Sequence, residues 1–197
     1  MGKSVDFYFD VGSPAAYLAW TQLPALCLEA GATLNYRPML LGGVFQATGN
    51  RAPISVPLKG SYLFDDLARF ARRYGVPFSL NPHFPVNTIT LMRIAAGLEM
   101  RADARLVVYL GAVFEALWVN GMNMADPATA ADVLQAAGLD AAELMALAAD
   151  PQVKDRLRLQ TEAAVARGVF GAPSMLVDGI LYWGQDRLDF VREALSA

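Results

Sequence analysis

The sequence SVDFYFDVGSPAA, at residues 4–16, decides the fold of this chain. Apolar and polar side chains alternate over residues 5–10, which is the period-2 pattern of a β-strand, and Gly12 then breaks the run. Ser13 is a good helix N-cap, and Pro14 suits the first helical turn. The sequence therefore predicts a short strand that passes directly into a helix, with a serine hydroxyl at the junction.

The residues that follow extend this pattern to a β-α-β unit. An apolar stripe that includes Leu18 and Leu23 has helical spacing, and Gly31 supplies the C-terminal stop. Apolar and polar side chains alternate again over residues 33–37, which predicts a second strand. Residues 4–38 are therefore expected to form two parallel strands joined by a right-handed helical crossover.

The middle of the chain has the pattern of helices joined by connectors. Residues 42–60 are rich in glycine and proline and are expected to form a loop-rich connection. No convincing strand pattern occurs from Lys59 to Pro173. Apolar spacing, or a capping residue followed by Ala and Leu, predicts helices at residues 63–74, 88–100, 103–120, 127–137, 141–149 and 150–167.

The C-terminal segment changes character at Gly168. Residues 174–177 and 180–183 are strand-like and flank Asp178-Gly179, which suits a type I′ hairpin, and a final helix is predicted at residues 186–195. The order β-α-β, helices, β-β-α predicts an α/β, thioredoxin-like fold with a large all-helical insertion. The expected domains are 1–41 with 168–197 for the thioredoxin-like part, and 42–167 for the insertion.

Composition bounds the functional class. The chain has 197 residues, of which 55% are hydrophobic, and this favours a homo-oligomer, expected to be a homodimer, over an Ala-rich helical core in a monomer. A net charge of −3 argues against a nucleic-acid partner. A single cysteine excludes an intrachain disulfide, and neither a signal peptide nor a membrane-length apolar run is present. We therefore expect a cytoplasmic protein with no membrane partner.

Three short motifs carry a resemblance that runs nearly end to end. They are Ser13-Pro14, the Gly171-Ala172-Pro173 turn and the sequence GQDR at residues 184–187. With these motifs in these places, the chain resembles the 2-hydroxychromene-2-carboxylate isomerases and the kappa-class glutathione transferases, within the DsbA-like thioredoxin superfamily. The resemblance implies that glutathione is the cofactor and binds in the thioredoxin cleft. A small aromatic compound would be the substrate.

Ser13 is the catalytic residue that the resemblance implies. It stands where a thioredoxin-like redox enzyme carries its attacking thiol, so the sulfur would come from glutathione. A helix N-terminus has unpaired N–H groups and a partial positive charge, both of which favour a thiolate. Ser13 would hold that thiolate with its hydroxyl, beside Pro14. On sequence pattern alone, a plain N-cap is the alternative role of Ser13.

The resemblance also implies where the rest of glutathione binds. Ala172-Pro173 matches a cis-proline position, and the main chain of Ala172 would pair with the cysteinyl part, although a trans bond is commoner in general. Gln185 and Asp186 stand at a helix start, where backbone N–H groups would take the γ-glutamyl carboxylate and Asp186 would receive the ammonium, although Asp186 could also be a simple cap.

Three further residues are weaker matches to the glutathione site. Asn50 and Lys59 match positions that approach the glycyl end in the family, and Asp66 matches one that reaches the γ-glutamyl end from a partner subunit. A solvated surface role is the alternative for Lys59 and Asp66. The candidate substrate-binding residues are Phe45, Arg51, His83 and Asn87.

Other reactive residue types do not form a site by their pattern. Cys27 lies on the apolar stripe of the first helix without a second cysteine, which favours a buried structural thiol. His83 is the one histidine and lies in a proline-flanked loop, where it could line the substrate pocket or be exposed. No metal-ligand cluster is suggested, so no metal is expected.

The resemblance implies a glutathione-dependent cis-trans isomerase. It would interconvert 2-hydroxychromene-2-carboxylate and trans-o-hydroxybenzylidenepyruvate in the breakdown of naphthalene-like aromatics, through thiolate addition, ring opening, rotation and elimination. A kappa-class-like transferase that conjugates glutathione to small electrophiles is the alternative. A non-catalytic thioredoxin-like binding module is the second alternative.

Overall fold

The computed structural model describes residues 2–196 and contains a four-stranded sheet of order β2-β1-β3-β4. The strands are β1 (Ser4–Phe9), β2 (Thr33–Pro38), β3 (Ser174–Val177) and β4 (Ile180–Trp183). β1 pairs in parallel with β2, and the β1-β3 and β3-β4 pairs are antiparallel. This arrangement confirms the predicted α/β, thioredoxin-like fold.

Helices occupy most of the chain between β2 and β3. They confirm the predicted helical insertion, whereas its boundaries at residues 42 and 167 stay a prediction. The helices of the described residues are α1 (Pro14–Glu29), α2 (Leu41–Thr48), α3 (Pro57–Tyr74), α4 (Ile89–Met100), α5 (Arg105–Trp118), α6 (Pro127–Ala136), α7 (Ala141–Ala149), α8 (Pro151–Ala166) and α9 (Leu188–Ser196), with 3₁₀ turns at Pro53–Ser55 and Gln185–Arg187.

The β3-β4 hairpin has the turn that its sequence predicts. Asp178 and Gly179 have φ values of +50° and +81°, and Val177 pairs directly with Ile180. Positive φ at both central residues is the requirement of a type I′ turn, which Asp-Gly meets at low cost. The two-residue turn therefore fixes the register of β3 against β4.

The prediction of a loop-rich connection holds for residues 49–56 and is wrong for the rest of residues 42–60. That stretch contains most of α2 and the start of α3. Distant residues hold the first N–H groups of α2, since Leu40 N donates to Thr161 Oγ1 at 3.0 Å and Leu41 N donates to Asp10 Oδ2 at 2.9 Å. The helix is thus stabilised by tertiary contacts that the local Gly-Gly pattern cannot show.

Both faces of the central strand β1 are covered by helices. Phe7 and Phe9 are fully buried in the main core with residues of α1, α4 and α5. Tyr8 points to the other face and packs in a smaller cluster with Val44 and Ala164. Burial of one large apolar side chain contributes about 1.5–3 kcal/mol, so this two-sided packing holds the end of β1 rigidly.

No helix within residues 2–196 combines the length and the apolar character that crossing a membrane requires.

Candidate functional site

A cavity of about 340 Å³ lies at the end of β1 where α1 begins. Its wall combines segments from both ends of the chain with segments of the helical region. The lining comes from residues 12–15, 50–54, 171–173 and 183–187, with Leu41 and Phe45 of α2, Leu63, Asp66 and Leu67 of α3, and Phe84. The three motifs that carry the sequence resemblance therefore meet at one cavity.

The Ser13 hydroxyl makes two hydrogen bonds at this cavity. Its Oγ accepts the N–H of Ala16 at 3.2 Å, which confirms the predicted N-cap of α1. The hydroxyl donates to the carbonyl oxygen of Ala172 at 3.2 Å, although the two residues are far apart in sequence. Ser13 is 5% exposed and lies at the positive end of α1, so an anion bound there meets a hydroxyl and helix N–H groups.

The Ala172-Pro173 peptide bond is cis, as expected. Ala172 is half-buried, and its carbonyl is held by Ser13. Within residues 2–196, the N–H of Ala172 donates no hydrogen bond. The turn before β3 therefore presents one unpaired main-chain donor to the cavity.

Gln185 and Asp186 form the far wall of the cavity, at the 3₁₀ turn that leads into α9. Gly184 precedes them with a φ of +105°, a conformation that side-chain-bearing residues rarely adopt. Gln185 is 5% exposed, whereas Asp186 is exposed and forms an ion pair with Arg187. An amide and a carboxylate are thus presented side by side at a helix start.

Asn50 fixes the loop that closes another side of the cavity. Its Nδ2 donates to the carbonyl of Phe170 at 2.9 Å, and its Oδ1 accepts the N–H of Arg51 at 2.8 Å. Arg51 is exposed and lines the cavity next to Asn50, and Phe45 lines it from α2. Asp66 of α3 also lines the cavity of its own chain, and its expected reach from a partner subunit stays a prediction.

Three of the predicted site residues lie outside the cavity wall. Lys59, His83 and Asn87 are exposed and do not line it. The side chain of Asn87 accepts the N–H of Ile89 at 3.1 Å at the start of α4. Of the four candidate substrate-binding residues, the structure therefore brings Phe45 and Arg51 to the cavity and leaves His83 and Asn87 outside it.

Asp10 connects segments that form the cavity, a role that its sequence pattern did not reveal. The carboxylate is 3% exposed and accepts hydrogen bonds from Gly12 N at 2.9 Å, Leu41 N at 2.9 Å and Thr88 Oγ1 at 2.8 Å. Burial raises the pKa of Asp10, and the three hydrogen bonds oppose that rise. Asp10 thereby ties the loop before α1 to the starts of α2 and α4.

Comparison with known proteins places this arrangement in a family. The profile of the DSBA-like thioredoxin domain matches residues 4–196. A 2-hydroxychromene-2-carboxylate isomerase of Sphingobium xenophagum is 34% identical over 197 residues, which span 99% of this chain and 99% of that protein. The chain belongs to the 2-hydroxychromene-2-carboxylate isomerase family. As a member of this isomerase family, the protein is an enzyme.

Two further similarities agree with this membership. A solved structure of a 2-hydroxychromene-2-carboxylate isomerase superposes with a TM-score of 0.85 at 32% identity, over 98% of this chain and 94% of that one. The human glutathione S-transferase kappa 1 is 26% identical, over 98% of this chain and 91% of that protein. The sequence resemblance to the isomerase family and to the kappa-class transferases is therefore confirmed.

The cavity of this isomerase family member also has wall residues that sequence reasoning did not select. Trp183 precedes the GQDR motif, Arg187 is the last residue of that motif, and both line the cavity, while Phe84 lines it from the loop before α4. The motif itself is the signal that could have identified Arg187, and the position next to it is the signal for Trp183. Phe84 has no such neighbour in sequence.

The cavity contains no thiol of the protein itself. Cys27 is buried in α1, and burial raises the pKa of its thiol to about 11, which agrees with the structural role predicted for it. Among residues 2–196, no three His, Cys, Asp or Glu side chains are grouped to hold a metal ion. The groups that face the cavity can bind and orient a ligand, and they include no strong nucleophile.

Proposed function

We propose that the protein is a glutathione-dependent isomerase that interconverts 2-hydroxychromene-2-carboxylate and trans-o-hydroxybenzylidenepyruvate. One observation carries the proposal: the Ser13 hydroxyl, the unpaired Ala172 N–H and the Gln185-Asp186 pair line a single cavity. The hydroxyl can donate to a thiolate, the N–H can pair with a peptide main chain, and the Gln185-Asp186 pair can bind the charged groups of an amino acid. Their combination suits a thiol-containing tripeptide.

Each part of the cavity has a binding role in this proposal. The Ala172 N–H would pair with the main chain of the cysteinyl residue, as a strand-like peptide pairs with a sheet edge. Gln185 and Asp186 would bind the γ-glutamyl carboxylate and ammonium, with Asp66 close by. Asn50 would approach the glycyl end. Lys59 could reach that end only if its exposed side chain turned toward the cavity.

Ser13 and the N-terminus of α1 would act on the sulfur. When bound, glutathione would supply a thiolate whose addition to the conjugated substrate turns a carbon–carbon double bond into a single bond, about which rotation is possible. The Ser13 hydroxyl would turn from the Ala172 carbonyl and donate to the thiolate, and the helix start would stabilise the negative charge. Both effects lower the proportion of the unreactive thiol form.

The remaining wall would bind the aromatic substrate. Phe45, Leu63 and Phe84 provide apolar surface, and Arg51 provides a cation at the same cavity. A flat aromatic carboxylate needs both features, since its ring is apolar and its carboxylate pairs best with a guanidinium. The exposed positions of His83 and Asn87 give them no part in this surface as the structure stands.

An assay of the purified protein with 2-hydroxychromene-2-carboxylate, with and without glutathione, tests the proposal. We expect the absorbance change of isomerisation only when glutathione is present, with no net consumption of glutathione. Turnover at the same rate without glutathione would contradict the role of the cofactor. No turnover under either condition would contradict the assigned substrate.

A kappa-like transferase is the second candidate, because the human kappa enzyme is similar over nearly the whole chain. Mass spectrometry separates the two candidates: a transferase yields a stable glutathione adduct and depletes glutathione, whereas an isomerase does neither. A non-catalytic module would be favoured if calorimetry showed no binding of glutathione.

We also propose that the protein is a cytoplasmic homodimer. Leu28 and Leu58 are 83% and 84% exposed, and a subunit interface that covered them would remove their apolar surface from water. Analytical ultracentrifugation should give twice the mass of the chain. The mass of a single chain at micromolar concentration would exclude the homodimer.

A further inference from the structure

Tyr74 lies outside the cavity wall but contacts a residue that forms it. It is the last residue of α3, and Gly75 ends the helix with a φ of +68°. The hydroxyl oxygen of Tyr74 is 2.9 Å from the carbonyl oxygen of Gln185 and 2.8 Å from its Oε1. One hydroxyl of the helical region therefore holds both the main chain and the side chain of a cavity residue.

This contact determines which atoms of Gln185 can face a ligand. A phenol has one hydrogen to donate, and here the carbonyl and Oε1 of the same residue share it. Within residues 2–196, Nε2 of Gln185 makes no hydrogen bond, and Gln185 lines the cavity. The Tyr74 hydroxyl thus fixes Oε1 and leaves the amide N–H groups as donors for a carboxylate.

The aromatic ring of Tyr74 has support that does not depend on its hydroxyl. The ring packs against Phe70 with centroids 5.8 Å apart. Burial, together with the nearby Asp186 and Asp189, raises the pKa of Tyr74 to about 12. The hydroxyl is therefore a protonated donor at neutral pH, and Tyr74→Phe would remove that donor while keeping the packing.

We propose that Tyr74 is a positioning residue for the γ-glutamyl end of glutathione, acting through Gln185. The inference rests on the proposed glutathione-dependent function. Without the hydroxyl, Oε1 of Gln185 would lose the contact that fixes the orientation of its amide, and the main-chain carbonyl of Gln185 would lose a donor. The effect should be confined to the γ-glutamyl end, because the sulfur position depends on Ser13 and Ala172 instead.

The test compares Tyr74→Phe with wild type on two thiols, glutathione and the dipeptide cysteinylglycine, which lacks the γ-glutamyl residue. We expect KM for glutathione to rise about three- to tenfold, which is the effect of losing one hydrogen bond, with kcat within about twofold. The activity supported by cysteinylglycine should not change. Tyr62→Phe is the matched control, since Tyr62 is on the same helix and 64% exposed.

A double variant adds a second measurement. Gln185→Ala should raise KM for glutathione as Tyr74→Phe does. The double variant should have a KM little higher than that of Gln185→Ala alone. If Tyr74→Phe raised KM for glutathione and for cysteinylglycine by the same factor, Tyr74 would support the cavity as a whole, and the inference would be overturned. An unchanged KM for glutathione would overturn it too. In both cases wild-type turnover with glutathione would leave the proposed function standing, whereas its absence would refute that function.

Discussion

Ser13→Ala removes one oxygen atom that takes part in two hydrogen bonds. The Oγ caps α1 through the N–H of Ala16 and donates to the carbonyl of Ala172, each at 3.2 Å. Loss of a helix cap costs about 1 kcal/mol of stability. In a chain of 197 residues this lowers Tm by about 2–4 °C, so the variant is expected to fold.

The loss of activity in Ser13→Ala should exceed this loss of stability. A hydrogen bond from a hydroxyl to an anion contributes about 1.5–3 kcal/mol, which corresponds to about 10- to 150-fold in rate. The N-terminus of α1 remains and preserves part of the thiolate stabilisation. The assay is the initial rate of isomerisation at saturating glutathione over a range of pH. The rise of activity with pH should move to higher pH, because the thiolate is less stabilised.

A matched cap variant separates stability from chemistry. Asp140 caps α7 by accepting the N–H of Glu143 at 3.0 Å, and it does not line the cavity. Asp140→Ala should lower Tm by a similar amount and leave the rate unchanged. Ser13→Cys should keep part of the activity, because a thiol can also donate a hydrogen bond. Wild-type kcat/KM in Ser13→Ala, alongside a lowered Tm, would refute the role of Ser13 in holding the thiolate.

Three further variants test other parts of the structure. Asp10→Asn should lower the free energy of unfolding by about 1–3 kcal/mol, because Gly12 N and Thr88 Oγ1 donate to one carboxylate oxygen and Leu41 N to the other, whereas an amide has a single acceptor oxygen. Since burial raises the pKa of Asp10, its contribution to stability is complete below the ordinary pKa and is lost as pH rises through the raised one. Urea titrations should therefore show a larger difference between wild type and Asp10→Asn in acid than at neutral pH, and the opposite trend would contradict this. Arg51→Gln should raise KM for the carboxylate substrate about tenfold, as expected for a lost charged hydrogen bond, whereas Arg72→Gln on the exposed face of α3 should not; equal KM values in the two variants would exclude Arg51 as the carboxylate partner. Cys27→Ala should retain wild-type kcat, because burial raises the pKa of that thiol to about 11; a large loss of kcat in folded protein would show that the thiol takes part.

Local sequence signals predicted the parts of the fold that depend on a few adjacent residues. Asp178-Gly179 specifies a type I′ turn through its own backbone preferences, and the hairpin has those bounds. Ser13-Pro14 specifies a helix start in the same way. The turn at residues 184–187 is predictable for a related reason, since a glycine with positive φ and a helix start are both local features.

Contacts between distant segments account for what the sequence could not show. α2 forms in a glycine-rich stretch because Asp10 and Thr161 hold its first N–H groups. Asp10 itself looks like one polar residue of a strand pattern, and its three donors come from segments that only the fold brings together. Likewise, the hydrogen bond from Asn50 to Phe170 holds the loop that brings Arg51 to the cavity, and no pattern within residues 50–59 distinguishes Arg51 from Lys59.

The hydrogen bond between the Ser13 hydroxyl and the Ala172 carbonyl has a consequence for binding, because both groups must change hydrogen-bond partners when a thiolate binds to Ser13. When a thiolate accepts the hydrogen bond of the Ser13 hydroxyl, the half-buried carbonyl of Ala172 loses its donor. A peptide thiol can replace that donor with its own main-chain N–H, whereas a small thiol such as 2-mercaptoethanol cannot. The protein would thus begin to discriminate between a peptide cofactor and the other thiols of a cell at Ser13, where the sulfur binds, and the two ends of the peptide would add further selectivity.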